Sequence, residues 1–330
     1  MGNIKVSVII PVFNDSVNLK RCLAALAASD FRDLEVIVVD DCSVDSPVGI
    51  AKDFGCRTIS LEKQSGPAVA RNKGASLAQG EILLFMDADV ICGPETISRL
   101  VSPLEEGWDA CVGVYTPDPG CVNFFSIYKN IFIWHYHSRA EEKIDWFWTA
   151  CGAIKKDIFF KLGGFKEFYS WKSVEDIDFG YRLTENNYKI FIEKKATVRH
   201  FHYFSFRGIL MNDLKKARDW TYFNLTGNHS LRFKHPSAQL KYRGAGILGS
   251  LLFFLTAGLS IIDFRFFYTA IFIFSILPFM EKGFFTALLR YGRMRVFVPA
   301  LFFKPVDDLI IIVGSLSGLL SYLLTASKKP

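Results

Sequence analysis

The 330-residue chain has no Cys-X-X-Cys pair, and its seven cysteines (Cys22, Cys42, Cys56, Cys92, Cys111, Cys121 and Cys151) are odd in number and scattered. That pattern excludes a disulfide frame and a zinc site, and buried thiols in a reducing compartment are expected. No leader precedes the first apolar run, so secretion is not expected. The glycosylation triplets at Asn224 and Asn228 therefore carry little weight. No Gly-X-Gly-X-X-Gly follows the first strand, which argues against a dinucleotide site, and no Gly-X4-Gly-Lys-Ser/Thr loop is present to cradle phosphates. There is no nucleic-acid-binding signature. Charge itself is absent from three C-terminal stretches, 246–262, 266–280 and 309–325, of 17, 15 and 17 residues.

What is present is apolar and unevenly charged. Half of the residues are hydrophobic, 50%, and the mean hydropathy is +0.22, high for a wholly soluble chain. Residues 206–330 carry 16 Lys and Arg against 6 Asp and Glu, a net +10, which leaves −4 for residues 1–205 of the whole-chain +6. A basic, apolar C-terminal part points to an anionic membrane surface. At ~1.5 Å per residue the first uncharged stretch reaches roughly 25 Å, short of a ~30 Å hydrocarbon core. Flanking Lys241, Arg243, Arg265 and Lys282 lengthen the stretches by snorkelling. Asp263-Phe264-Arg265 leaves room only for a tight turn, so the first two stretches form a hairpin. Residues 283–304, with Arg290, Arg293, Arg295 and Lys304 among Phe and Leu, read as an interfacial amphipathic segment. Basic residues at 232–243 and 282–304 mark the cytoplasmic side. Three spans would put Lys328 and Lys329 outside, against the positive-inside rule, so either that tail is too short to matter or one span is re-entrant, and two to three transmembrane helices are expected.

The N-terminal part alternates short apolar runs with helical spacing. Residues 82–86 are wholly apolar, bounded by Gly80 and Asp87, and read as a strand buried on both faces. Residues 6–10 and 34–39 are two more such strands, and 57–61 is a short one. Helices are expected over 16–28, 46–54 and 66–77. This alternation predicts a parallel sheet with helices on both faces. Each strand end carries polar residues: Asn14, then Asp40 and Asp41, then Asp87 and Asp89. The carboxyl ends of parallel strands are where such sheets bind ligands. In extended chain Asp87 and Asp89 point to one side, and paired hard oxygens suit Mg2+ or Mn2+ holding a diphosphate. Arg71 is a candidate counter-charge or else a surface helix arginine. The aromatic-rich 122–148 shows helical spacing at 124, 128, 131 and 132, either a helix packing on the sheet or a membrane-facing wall. Residues 196–202 read as a last strand with His200 and His202 on one face. Asp176 is an N-cap candidate for an amphipathic helix, and Asp178 reads as a helix-surface residue.

Segments 6–14, 38–45, 66–74, 87–90, 149–156, 162–165 and 175–183 resemble, in order, the successive motifs of the family 2 glycosyltransferases. These are inverting nucleotide-sugar transferases of the GT-A fold. The resemblance covers roughly residues 4–205. Cys42 departs from it, since the family usually has Gly there. The resemblance implies that Pro11, Val12, Asn14, Asp40, Asp41, Arg71 and Asp87 bind the donor nucleotide. It implies that Asp89, with Asp87 and His200 or His202, holds the metal, and that Gly152 and Glu175 line the sugar or acceptor subsite. By the same resemblance Asp176 is the general base. Arg218-Asp-Trp220 faintly resembles the Gln-X-X-Arg-Trp element of processive synthases, but Lys215 stands where the Gln would be.

The expected protein is α/β, with a mostly parallel GT-A sheet over residues 1–205, a basic interfacial linker over 206–243 and a membrane anchor over 244–330. A chain ending near Pro236 is expected to fold alone. The expected activity is transfer of a sugar from a UDP- or GDP-sugar, with Mg2+ or Mn2+, to a lipid or lipid-linked acceptor at the cytoplasmic face of a prokaryotic plasma membrane. Its expected partners are the nucleotide sugar, that acceptor and the membrane, with no nucleic acid. The alternatives are a processive polysaccharide synthase, opposed by the missing Gln, and a silent nucleotide-sugar-binding scaffold, opposed by the intact Asp87, Asp89 and Asp176.

Overall fold

The computed structural model describes residues 5–167, 174–226 and 240–326, without the side chains of 240–243 and 326. Asn228, Arg232, Lys234, Lys328 and Lys329, and the side chains of Lys241 and Arg243, lie outside the described residues. The chain parts into two units: Met1–Gly120 with Ala140–His202, and Cys121–Arg139 with Tyr203–Pro330.

In the first unit β1 (Val6–Val12), α1 (Ser16–Ala27), β2 (Leu34–Asp40), α2 (Pro47–Asp53), β3 (Arg57–Ser60), α3 (Pro67–Leu77) and β4 (Ile82–Met86) alternate as the apolar runs predict. β1 pairs in parallel with β2 and β4, and β2 with β3. β4 is buried at every position because helices cover both sheet faces. β5 (Val90–Cys92), α4 (Thr96–Glu105) and β6 (Ala110–Tyr115) follow. After them come α5 (Phe124–His137), β7 (Lys143–Ile144), β8 (Cys151–Lys155), α6 (Lys156–Lys161), α7 (Glu175–Glu185) and β9 (Ile190–His200). The sheet order is β3-β2-β1-β4-β8-β6-β9-β5, with β7 also on β9. Beyond β4 the sheet is mixed: β8 runs antiparallel to β4 and β6, while β6 and β9 are parallel. Phe85 on β4 anchors the core, edge-on to Phe165 at 5.0 Å and packed with Phe147 and Phe159.

The second unit is helical: α5, α8 (Phe206–Thr226), α9 (Leu240–Leu259), α10 (Arg265–Met280), α11 (Lys282–Ala287), a π turn over Leu288–Gly292, and α12 (Met294–Ala326). α5 belongs to this unit and not to the one that holds the sheet, and its aromatic side chains at 128 and 132 are buried rather than lipid-facing. Its Tyr128, Ile131 and Phe132 are buried with Phe284, Leu288 and Phe303 in the core of this unit. Lys304 likewise departs from the interfacial expectation. It is buried rather than interfacial, and its ammonium donates to Glu281 at 2.6 Å and to both carboxylate oxygens of Asp308 at 2.7 Å. Three donors on one ammonium meet three acceptor oxygens, which is what allows a lysine to be buried.

Among the described residues no single helix is long and apolar enough to cross a membrane. Arg265–Met280 with Lys282–Gly292 passes only as a pair bent by 72°, and Gly244–Leu259 is a shorter apolar helix.

Candidate active site

The site lies at the carboxyl ends of β1, β2 and β4. After β1 the chain turns at Asn14, and after β2 at Cys42 and Ser46, all left-handed, with φ of +52°, +68° and +57°. A non-glycine residue in that region costs about 1 kcal/mol, so the turns need compensating bonds. Asn14 supplies two: its Oδ1 accepts from Val44 N at 2.8 Å and its N–H donates to Ser43 Oγ at 2.9 Å. Asp40 accepts from Ser43 N at 2.8 Å. Asp41 accepts from Ser65 N and Gly66 N at 2.6 and 2.8 Å, fixing the start of α3. Both aspartates are buried and shape the loops at the strand ends. Pro11 and Val12 lie opposite Val39 and Asp40 in the ladder.

The stretch after β4 is a turn rather than a continuation of the strand. Asp87 and Asp89 each meet their own partners. Asp87 accepts from Arg71 Nη2 at 2.9 Å, and the other arm of Arg71, Nη1, donates to Glu175 at 3.1 Å. Arg71 is only 5% exposed, so it is neither a surface arginine nor a guanidinium with open arms. Burial works against its charge, but Asp87 and Glu175, with Asp176 adding, outweigh that and hold its pKa above the usual value. Glu175 and Asp176 open α7. Asp176 is half-buried and accepts from Ile177 N at 2.9 Å. Two residues on, Asp178 overturns the helix-surface expectation. It is fully buried, held by Lys166 at 2.9 Å and Arg182 at 2.7 Å, and Arg182 also donates to the carbonyls of Leu162 and Gly164.

Asp89 faces the end of β9. Its Oδ2 lies 3.5 Å from His200 Nε2 and 3.1 Å from His202 Nδ1. The three ligand atoms are within 4.8 Å of one another, and Asp87 is not among them. Phe201 N donates to the Asp89 carbonyl at 2.8 Å, which pins the two segments together. Burial pushes the Asp89 carboxyl up, but the two imidazoles outweigh it and hold the group well below the usual carboxylate range. Tyr115, at the end of β6, stacks on His200 at 4.4 Å and meets Trp148 edge-on at 4.6 Å. The sequence carries no signal for that stack, because Tyr115 only ends an apolar run. Gly152 is required by close approach: a Cβ there would lie 2.5 Å from the Trp148 carbonyl oxygen.

One carboxylate and two imidazoles on one face make a donor set suited to a divalent ion, with Mn2+ a better match than Mg2+ because imidazole is the softer ligand. Beside it, three carboxylates, Asp87, Glu175 and Asp176, surround a single guanidinium. That leaves negative charge at the start of α7, where the positive helix end favours it.

Residues 7–168 match the model of Glycosyl transferase family 2. A validoxylamine A glucosyltransferase of Streptomyces hygroscopicus subsp. jinggangensis is 26% identical over 227 residues, covering 58% of this chain and 54% of that protein. Glycosyltransferase AglE of Haloferax volcanii is 40% identical over 106 residues, 30% of this chain and 35% of that protein. The chain thus spans about half or less of the length of these curated relatives. Among solved structures, mannosyltransferase PcManGT from Pyrobaculum calidifontis, in complex with GDP-Man and Mn2+, superposes with a TM-score of 0.59 at 16% identity, over 96% of this chain and 87% of that one. The likeness shows a shared α/β GT-A-like fold.

Proposed function

We propose, from the premise that residues 7–168 are a glycosyltransferase family 2 domain, that the protein moves a sugar with inversion from a UDP- or GDP-sugar to a lipid-linked acceptor at the cytoplasmic face of a membrane. The observation that carries this reading is the cluster of Asp89, His200 and His202 at the strand ends. These residues would hold Mn2+ or Mg2+. When bound, the ion supplies positive charge to the departing diphosphate. A protein of the same fold that holds GDP-Man and Mn2+ supports the choice of ligand class.

Asp176 takes the proton from the attacking acceptor oxygen. A carboxylate in this role needs to reach the acceptor while its own backbone stays fixed, and its place in the first turn of α7 provides that. Arg71 holds Asp87 and Glu175 in register beside it. Pro11, Val12, Asn14, Asp40 and Asp41 form the nucleotide wall, and Gly152 and Glu175 line the sugar subsite. The C-terminal helices anchor the enzyme to the membrane. In support, the second unit exposes many large apolar side chains, among them Leu255, Phe272, Leu316 and Leu320, each more than half exposed at 56, 65, 60 and 58%. Exposed apolar surface on that scale marks a membrane or partner interface.

Calorimetry of the full chain with UDP and with GDP, in Mn2+ and in EDTA, tests the reading. One nucleotide should bind in Mn2+ and lose affinity in EDTA and in Asp89→Ala. Equal affinity across all three conditions would overturn the metal-held donor site.

A further inference from the structure

The turn between α9 and α10 is apolar where a loop in water is polar. Ile261 and Ile262 are 88% and 83% exposed, and Phe264 is 62% exposed. The two charges in the turn close on each other: Arg265 Nε and Nη2 donate to Asp263 Oδ2 at 2.9 and 2.7 Å, so the tip has no net charge. Its backbone donors, that of Phe264 apart, are also satisfied internally. The N–H groups of Ser260, Ile261, Ile262 and Asp263 bond to carbonyls of residues 256–259, that of Arg265 to the Asp263 side chain, and that of Phe266 to the Asp263 carbonyl. Internal satisfaction of the backbone is the requirement hydrocarbon imposes and water does not. Polarity gathers at the opposite end of the hairpin. Gly246 leaves room for Glu281, which joins Lys304 and Asp308, and Ser250 donates to Asp308 at 2.9 Å.

We infer that the α9–α10 hairpin enters the bilayer tip first and turns back inside it, a re-entrant element with both ends on one side of the membrane. The inference rests on the membrane location proposed above. Length supports it: the apolar helix Gly244–Leu259 and α10 each reach only ~24 Å at ~1.5 Å per residue, short of a ~30 Å hydrocarbon core. The arms hold together without polar contacts near the tip, through Phe253 against Phe274 at 5.4 Å and Gly249 beside Leu277 and Met280. Their outer faces present Leu248, Leu255, Ile271 and Phe272 to the lipid chains.

The test places a cysteine at the tip, Ile262→Cys, in the full chain. Right-side-out and inside-out vesicles are treated with a membrane-impermeant maleimide, and labelled peptides are read by mass. Cys42, exposed in the first unit, reports the side on which that unit lies, and no native cysteine occurs beyond residue 151. The expected result is labelling of Cys42 in one vesicle orientation and of position 262 in neither until detergent is added. Labelling of 262 only from the side opposite Cys42 means a spanning hairpin and overturns the inference. Labelling of 262 in intact vesicles from the same side as Cys42 means a hairpin in water and also overturns it. A chain that does not sediment with the vesicles at all refutes the membrane location itself, a failure distinct from the other two.

Discussion

Asp176 and Asp178 stand two residues apart on one helix and are set to different tasks by what surrounds them. Asp176 is half-buried beside Arg71 and Glu175, whereas Asp178 is sealed under Lys166 and Arg182. Asp176→Asn should leave donor affinity within a few-fold of wild type and lower turnover by at least ~10²-fold, the low end for loss of a general base. The wild-type product should show inverted anomeric configuration by NMR, and retention would remove Asp176 from that role. Asp178→Asn should instead cost stability, about 3 kcal/mol for a buried pair left with an uncompensated cation, read as a fall in the thermal midpoint. The sequence made the residue types at these strand and helix ends legible, because short polar clusters after apolar runs mark them. It did not reveal their partners. Arg71 meets Glu175 across 104 positions, and Asp89 meets His202 across 113; no local pattern encodes such pairings. Cys42 shows the converse: glycine is usual there because the backbone is left-handed, and the chain tolerates a side chain at that cost.

At the scale of elements, the apolar runs located β1, β2 and β4 almost to the residue, since a strand buried on both faces can be made only of apolar side chains. The same logic misplaced α5, whose aromatic face identifies a buried helix without saying against what. Within α5, burial and Arg139 lower the pKa of His135 to about 4, and burial and Lys216 lower that of His137 to about 3. Both are therefore neutral in the folded state at pH 7. Below their ordinary value of about 6.5 the unfolded chain binds protons that the folded one refuses. The stability that depends on them is complete above about 6.5 and declines as pH falls towards the folded values, by up to ~1.4 kcal/mol per pH unit for a fully shifted group. His137→Gln should flatten the fall in thermal midpoint between pH 7 and pH 5, measured in detergent. A slope unchanged from wild type would show that His137 carries none of it. On α12, Gly314 and Gly318 let α8 approach so closely that an added Cβ would lie 2.5 Å from the Leu214 carbonyl oxygen at Gly314 and overlap that of Arg218 at Gly318. Gly314→Val should therefore cost about 1–3 kcal/mol through overpacking, again read from the thermal midpoint.

For the whole molecule, the structure changes one expectation drawn from composition. The hydropathy shift near residue 244 suggests that a chain ending near Pro236 would fold alone. Such a chain keeps α5 but loses Phe284, Leu288 and Phe303, the residues that bury Tyr128, Ile131 and Phe132. It should form aggregates on size-exclusion chromatography, and a monodisperse 1–236 would refute this. Composition could not show the dependence, because it averages over windows and α5 is separated from Phe284 by residues 140–202 of the first unit and by α8 to α10. That separation sets a timetable for the newborn chain. At ~5–20 residues per second, the ribosome needs roughly 7–30 s to go from the end of α5 to Phe284. Once β9 has been made, the strands on either side of α5 can pair, while the aromatic helix between waits for Phe284, Leu288 and Phe303. Expression of this protein should accordingly depend on whatever shields a nascent apolar helix, and slowing translation after residue 139 should lower its yield more than slowing it before residue 121.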